Sequence, residues 1–83
     1  MYELKFTPAA TRNWRKLSLA VQQQIAPHLD RLSSEPRPPG VKKLKGFQNL
    51  YRSRSGDYRV IYEIEDSSKT IWITKIMDRK NEY

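Results

Sequence analysis

Three arginines carry the strongest chemical signal in this chain. Arg52, Arg54 and Arg59 flank the dipeptide Gly56-Asp57, which reads as a two-residue hairpin turn between two runs of alternating residues. With glycine at the turn position that needs positive φ, Ser55 pairs with Tyr58 and Arg54 with Arg59. Alternation along a strand then puts Arg52, Arg54, Arg59 and Ile61 on one face of the hairpin. Tyr51, Ser53, Tyr58, Val60, Tyr62 and Ile64 fall on the other. Three neighbouring guanidinium groups repel one another, and like charges directly across a strand pair are destabilising. A phosphodiester would relieve that repulsion, because each planar fork donates two charge-assisted hydrogen bonds to phosphate oxygens. The competing account is neutralisation by Asp57, Glu63 or Glu65 in surface ion pairs, each worth about 0 to 1 kcal/mol.

The surroundings extend the same chemistry. Lys42, Lys43 and Lys45 precede the hairpin, and the segment after Met77 holds Arg79, Lys80 and the aromatic Tyr83. A strand ending beside Arg59 would bring Tyr83 within reach of the arginines as a stacking platform for a nucleobase, an interaction worth about 1 to 3 kcal/mol. Across the whole chain, sixteen Lys and Arg against nine Asp and Glu give a formal charge of +7. A small domain this basic usually meets a polyanion or an acidic protein.

The elements that must hold these side chains follow from periodicity. Eighty-three residues are expected to form one domain, 1–83, because a chain this short buries only about 60% of its unfolded surface and cannot support two cores. Cysteine is absent and no metal-ligand cluster is evident, so packing alone must stabilise the fold. Tyr2, Leu4 and Phe6 alternate with polar residues as in a half-buried strand. Thr7-Pro8 fits an N-cap and first helical position, opening a helix from about Pro8 to Lys16. Trp14, Leu17, Val21, Ile25, Leu29 and Leu32 form one apolar stripe, continued by a second helix over about 18–34. Pro27 lies inside that second helix and is expected to kink or break it. The segment 35–40, with three prolines and a glycine, reads as a linker. Leu50–Ser55, Tyr58–Glu65 and Thr70–Met77 are strands of an antiparallel meander.

The expected fold is therefore α+β: an N-terminal strand, a two-helix hairpin and a meander, making a mixed four-stranded sheet with both helices on one face. The first residues lack the apolar stretch of a signal peptide, and no window approaches the roughly 20 apolar residues of a membrane span. A cytoplasmic location is expected. His28, the sole histidine, lies on the helical hairpin, where a lone histidine is more often an incidental surface residue than a catalyst.

The string from Leu50 to Ile64, containing GDYRVIYEI, the preceding Lys43-Leu44-Lys45-Gly46 and the closing Arg79 to Tyr83 segment resemble the RelE/ParE superfamily of bacterial toxins over nearly the whole chain. The resemblance is closer to RelE-like members, which cleave messenger RNA in the ribosomal A site, than to ParE-like members, which poison DNA gyrase. It implies a toxin of a type II toxin–antitoxin system. Such a protein would be a metal-independent endoribonuclease without cofactor, with the ribosome, mRNA and a RelB-like antitoxin as partners. It also implies catalytic roles for Arg52, Arg54, Arg59, Arg79 and Tyr83, and RNA contacts for Lys42, Lys43, Lys45, Arg52, Arg54 and Lys80. One departure bears on mechanism. RelE toxins carry lysines at the positions of Arg52 and Arg54, one of them the proposed general base, and an arginine, which does not give up its proton in a protein, cannot take that role. A ParE-like inhibitor and a catalytically weak RNA-binding module of the same fold are the alternatives.

Overall fold

In the computed structural model, which describes residues 1–78, Thr7 both closes the first strand and opens the first helix. Strand β1 (Glu3–Phe6) ends at Thr7, whose Oγ1 accepts from Ala10 N at 3.2 Å and caps α1 (Pro8–Lys16), with Pro8 in the first turn as the sequence predicts. Ser18 repeats the device, accepting from Val21 N at 3.2 Å to cap α2 (Leu19–Ser34). Each cap satisfies an amide that the helix leaves without a partner.

Pro27 does not break α2, one of the two outcomes expected of it: one helix runs through it. Proline removes one hydrogen bond and crowds the carbonyl four residues earlier, but Ile25, Leu29 and Leu32 are buried on either side of it. Packing of that stripe outweighs the local loss.

Four further strands follow: β2 (Lys42–Lys43), β3 (Leu50–Ser55), β4 (Tyr58–Glu65) and β5 (Thr70–Asp78). The sheet order is β1-β5-β4-β3-β2, with β1 parallel to β5 and the other pairs antiparallel. The mixed sheet is therefore five-stranded rather than four-stranded. The extra strand escapes a reading by periodicity because two lysines show no alternation; β2 exists through its pairing of Lys42 with Arg52 and Lys43 with Tyr51.

Both helices lie on one face. Ala10, Ile25, Leu29 and Leu32 meet Tyr51, Val60, Tyr62, Ile64, Ile71, Ile73 and Ile76 in a single buried cluster. The 35–40 segment is more than a connector. Tyr62 OH donates to Pro36 O at 2.7 Å, and Arg37 reaches both Tyr51 OH (3.2 Å) and Asp66 (3.0 Å), while Tyr2 OH donates to Asp66 at 2.6 Å. These bonds fasten the proline-rich strap to the sheet, and Arg37 and Tyr2 together hold the Asp66 carboxyl below its ordinary pKa.

Candidate nucleic-acid interface

The face of the sheet opposite the helices carries the cations. Gly56 has φ of 59°, which suits the first position of the expected turn, and the register is Ser55 with Tyr58, Arg54 with Arg59 and Arg52 with Ile61. Tyr51, Ser53, Val60, Tyr62 and Ile64 are buried toward the helices. Alternation therefore directs Arg52, Arg54 and Arg59 together to the opposite, outer side. Lys42 stands beside Arg52 in register and adds a fourth cation to the row.

β5 contributes through an irregularity. Ile61 pairs with Lys75 but Tyr62 pairs with Ile73, so Thr74 is an extra residue, and its hydroxyl donates to Ile61 O at 3.0 Å. A bulge changes which residues share a face. Ile73 and Ile76, three apart, are both buried, and Lys75 and Met77 line up with Ile61 and Arg59 on the outer side. The two resulting rows are Lys42-Arg52-Ile61-Lys75 and Arg54-Arg59-Met77. Lys75 is a member the sequence reading missed, because a bulge leaves no mark in side-chain alternation.

Neutralisation by neighbouring acids does not account for Arg52 and Arg54. Among the described residues neither forms an ion pair; the pairs present are Arg31–Glu35 at 3.7 Å and Arg37–Asp66 at 3.0 Å. Glu65 instead accepts from Ser68. Arg54 is exposed, Arg52 and Arg59 are half-buried, and the Arg59 Nε is shielded from solvent. Partial burial strengthens the pull of these groups on an anion, since charges interact more strongly away from bulk water. Lys43 and Lys45 are exposed; Lys43 pairs with Tyr51, which faces the helices, so it falls on the inner side at the sheet edge, Lys45 follows the strand, and neither joins the outer rows. β5 does end beside β4, with Met77 opposite Arg59; Arg79, Lys80 and Tyr83, expected to complete the site, lie outside the described residues.

His28 is no incidental surface residue. Its Nε2 lies 2.6 Å from Ser53 Oγ, and burial together with the charge of Arg31 lowers its pKa below 6.5. The signal was present in the sequence: Val21, Ile25, His28 and Leu32 continue helical spacing, so His28 belongs to the face packed on the sheet.

A family profile described as the ParE toxin of the type II toxin–antitoxin system parDE matches residues 4–83. The chain is 30% identical over 81 residues to the mRNA interferase toxin RelE of Escherichia coli strain K12, covering 95% of this chain and 84% of that one. The crystal structure of isolated E. coli RelE superposes with a TM-score of 0.83 at 28% identity, covering 94% of this chain and 84% of that one. The archaeal RelE–RelB complex from Pyrococcus horikoshii gives 0.82 at 34% identity, covering 96% and 97%. The chain belongs to the RelE/ParE superfamily, as a RelE-like toxin of a type II toxin–antitoxin system.

Proposed function

We propose that this protein is a ribosome-dependent endoribonuclease that cuts mRNA in the A site, held in check by a RelB-like antitoxin. The observation that carries the reading is the pairing of Arg54 with Arg59 across the β3–β4 hairpin, with Arg52 on the same uncovered face. An RNA 2′-hydroxyl would attack its adjacent phosphorus, forming the 2′-O–P bond as the P–O5′ bond breaks and yielding a 2′,3′-cyclic phosphate. The proton of the 2′-hydroxyl is lost and the departing 5′-oxygen gains one. The protein must align the two oxygens and neutralise charge growing on the phosphorane. Arg59, with Arg79, is assigned to the phosphorane oxygens and leaving group, Arg52 and Arg54 to strand grip and Tyr83 to base orientation. Lys42, Lys43, Lys45 and Lys80 would hold flanking phosphates.

With arginine in place of lysine at 52 and 54, proton abstraction is the weak step, so the ribosome must supply near-attack geometry. Cleavage of a defined message on ribosomes should be readily mapped, and naked RNA should be cut far more slowly; equal rates on both would overturn ribosome dependence. Arg59→Ala, Arg79→Ala and Tyr83→Ala should each lose cutting while remaining folded. A gyrase-poisoning reading is favoured by the ParE family profile and is decided by a supercoiling assay. Inhibition of gyrase by the parent chain and by Arg59→Ala alike, with no RNA cut, would select it. For the antitoxin, P. horikoshii RelE is crystallised with RelB, and a +7 chain suits an acidic partner. The purified complex should lack ribonuclease activity, and full activity in it would refute inhibition through this face.

A further inference from the structure

A second polar site lies round the edge of the sheet from the arginine rows. β2 pairs with β3 at Lys42 with Arg52 and Lys43 with Tyr51, Leu44 N donating to Leu50 O just beyond, so among the described residues β3 runs on past Arg52 without a strand on that side. Pro38 and Pro39, lacking amide hydrogens, cannot extend the ladder. In a two-residue hairpin the closing pair, Ser55 and Tyr58, exchanges both backbone bonds, and the next pair turns its backbone groups outward. On β3 that next residue is Arg54, facing a cavity of about 340 Å³ between α2, the Pro38-to-Gly40 turn and the strand edge. Gly40 adopts φ of 89°, and a Cβ there would meet nothing within 4 Å, so the mouth beside it is open.

The lining is unusual for a structural void. Ser53 occupies an inward position of the central sheet, is only 4% exposed, and lies against His28. Burying a hydroxyl and an imidazole contributes less to a core than an aliphatic residue would. Arg31 and Arg54 flank the pair, and among the described residues the ion pair of Arg31 is the loose 3.7 Å contact with Glu35, both side chains half exposed, an arrangement that contributes little to stability. We propose that this cavity is a phosphate subsite for the RNA strand, in which Arg31 grips a phosphodiester flanking the scissile one, the backbone N–H of Arg54 donates from the strand edge, and Ser53, oriented by His28, donates its hydroxyl. The proposal rests on the nuclease reading above. Because Arg54 turns its side chain to the outer face and its backbone to this cavity, it ties the two phosphates into one strand path.

The single histidine gives a clean reporter. A 2′-O-methyl RNA tetranucleotide, which has no nucleophilic 2′-hydroxyl, is titrated into the free chain. Histidine side-chain NMR signals report His28, and Ile61 and Met77 methyl signals report the outer face. Both sets should move with one binding curve. Arg31→Gln and Ser53→Ala should each weaken the binding about tenfold, the size expected for a charge-assisted hydrogen bond, with the methyl spectrum of the unbound protein unchanged. Inorganic phosphate alone should move the His28 signals at much higher concentration. If the oligonucleotide moves Ile61 and Met77 but leaves His28 still, the subsite is refuted while the nuclease reading stands. If inorganic phosphate moves His28 and the oligonucleotide does not, the cavity takes small anions and is no part of an RNA path. If no signal responds to RNA, the subsite is refuted, and the nuclease reading is decided by cleavage mapping on ribosomes.

Discussion

Arg54 and Arg59 confront each other across a strand pair, an arrangement that costs the folded state and that the proposed RNA contact would offset. Arg54→Thr, with a residue suited to a strand, should therefore raise the unfolding temperature slightly, by a stability gain of up to about 1 kcal/mol. It should also lower ribosome-dependent cleavage. A variant that is less stable and equally active would contradict the trade. Arg59→Ala should cost about 10² to 10³ in single-turnover cleavage rate, the scale for removing one preorganised donor. His28 gives a prediction in pH. Its folded pKa lies below the ordinary 6.5, so the unfolded chain binds the proton first, and stability complete above that value is lost as pH falls through the lowered folded value. Thermal melts between about pH 7 and pH 5 should fall more steeply for the parent than for His28→Gln; parallel slopes would show that the imidazole does not contribute. The arginine face could be read from the chain because one turn and a period of two decide it. The Ser53–His28 contact joins residues 25 apart in sequence and depends on how α2 lies over β3, which no local pattern encodes.

At the level of elements, the Thr7 cap, both helices and the three long strands were legible because each carries its own periodic or turn signal. What eluded that reading depends on neighbours: β2 exists only through β3, the Thr74 bulge only through the offset between β4 and β5, and the unbroken α2 through burial of residues around Pro27. That last difference is testable. Pro27 is exposed, so Pro27→Ala should restore a helical hydrogen bond without disturbing the core. Denaturant unfolding should gain about 1 to 3 kcal/mol, and no gain would mean that the helix has adapted fully to the ring. Gly56→Ala tests the turn in the opposite direction. The residue has a positive φ, and an added Cβ would collide with the Gln24 side chain, which donates to Ser55 O at 3.2 Å. A loss of about 1 to 2 kcal/mol is expected, together with weaker RNA cleavage as the two arginine strands lose their fixed register.

For the whole molecule, the division between a helix-covered face and a cationic face makes binding strongly salt-dependent. Five cationic side chains, Lys42, Arg52, Arg54, Arg59 and Lys75, share the outer side. If all five contact phosphates, the logarithm of single-stranded RNA affinity should fall against the logarithm of salt with a slope of about −3.5. A slope near zero would argue for a protein target instead. Lys75→Ala should make the slope shallower by about 0.7 while leaving the melting temperature close to that of the parent. The same division bears on how such a protein can change its victim. Among the described residues, every fully buried side chain hangs from the inner surface of the sheet or from the helices above it, so the opposite surface can be rewritten residue by residue without disturbing the interior. An ancestor with this layout could exchange one cellular target for another through a handful of surface replacements, each intermediate still folding.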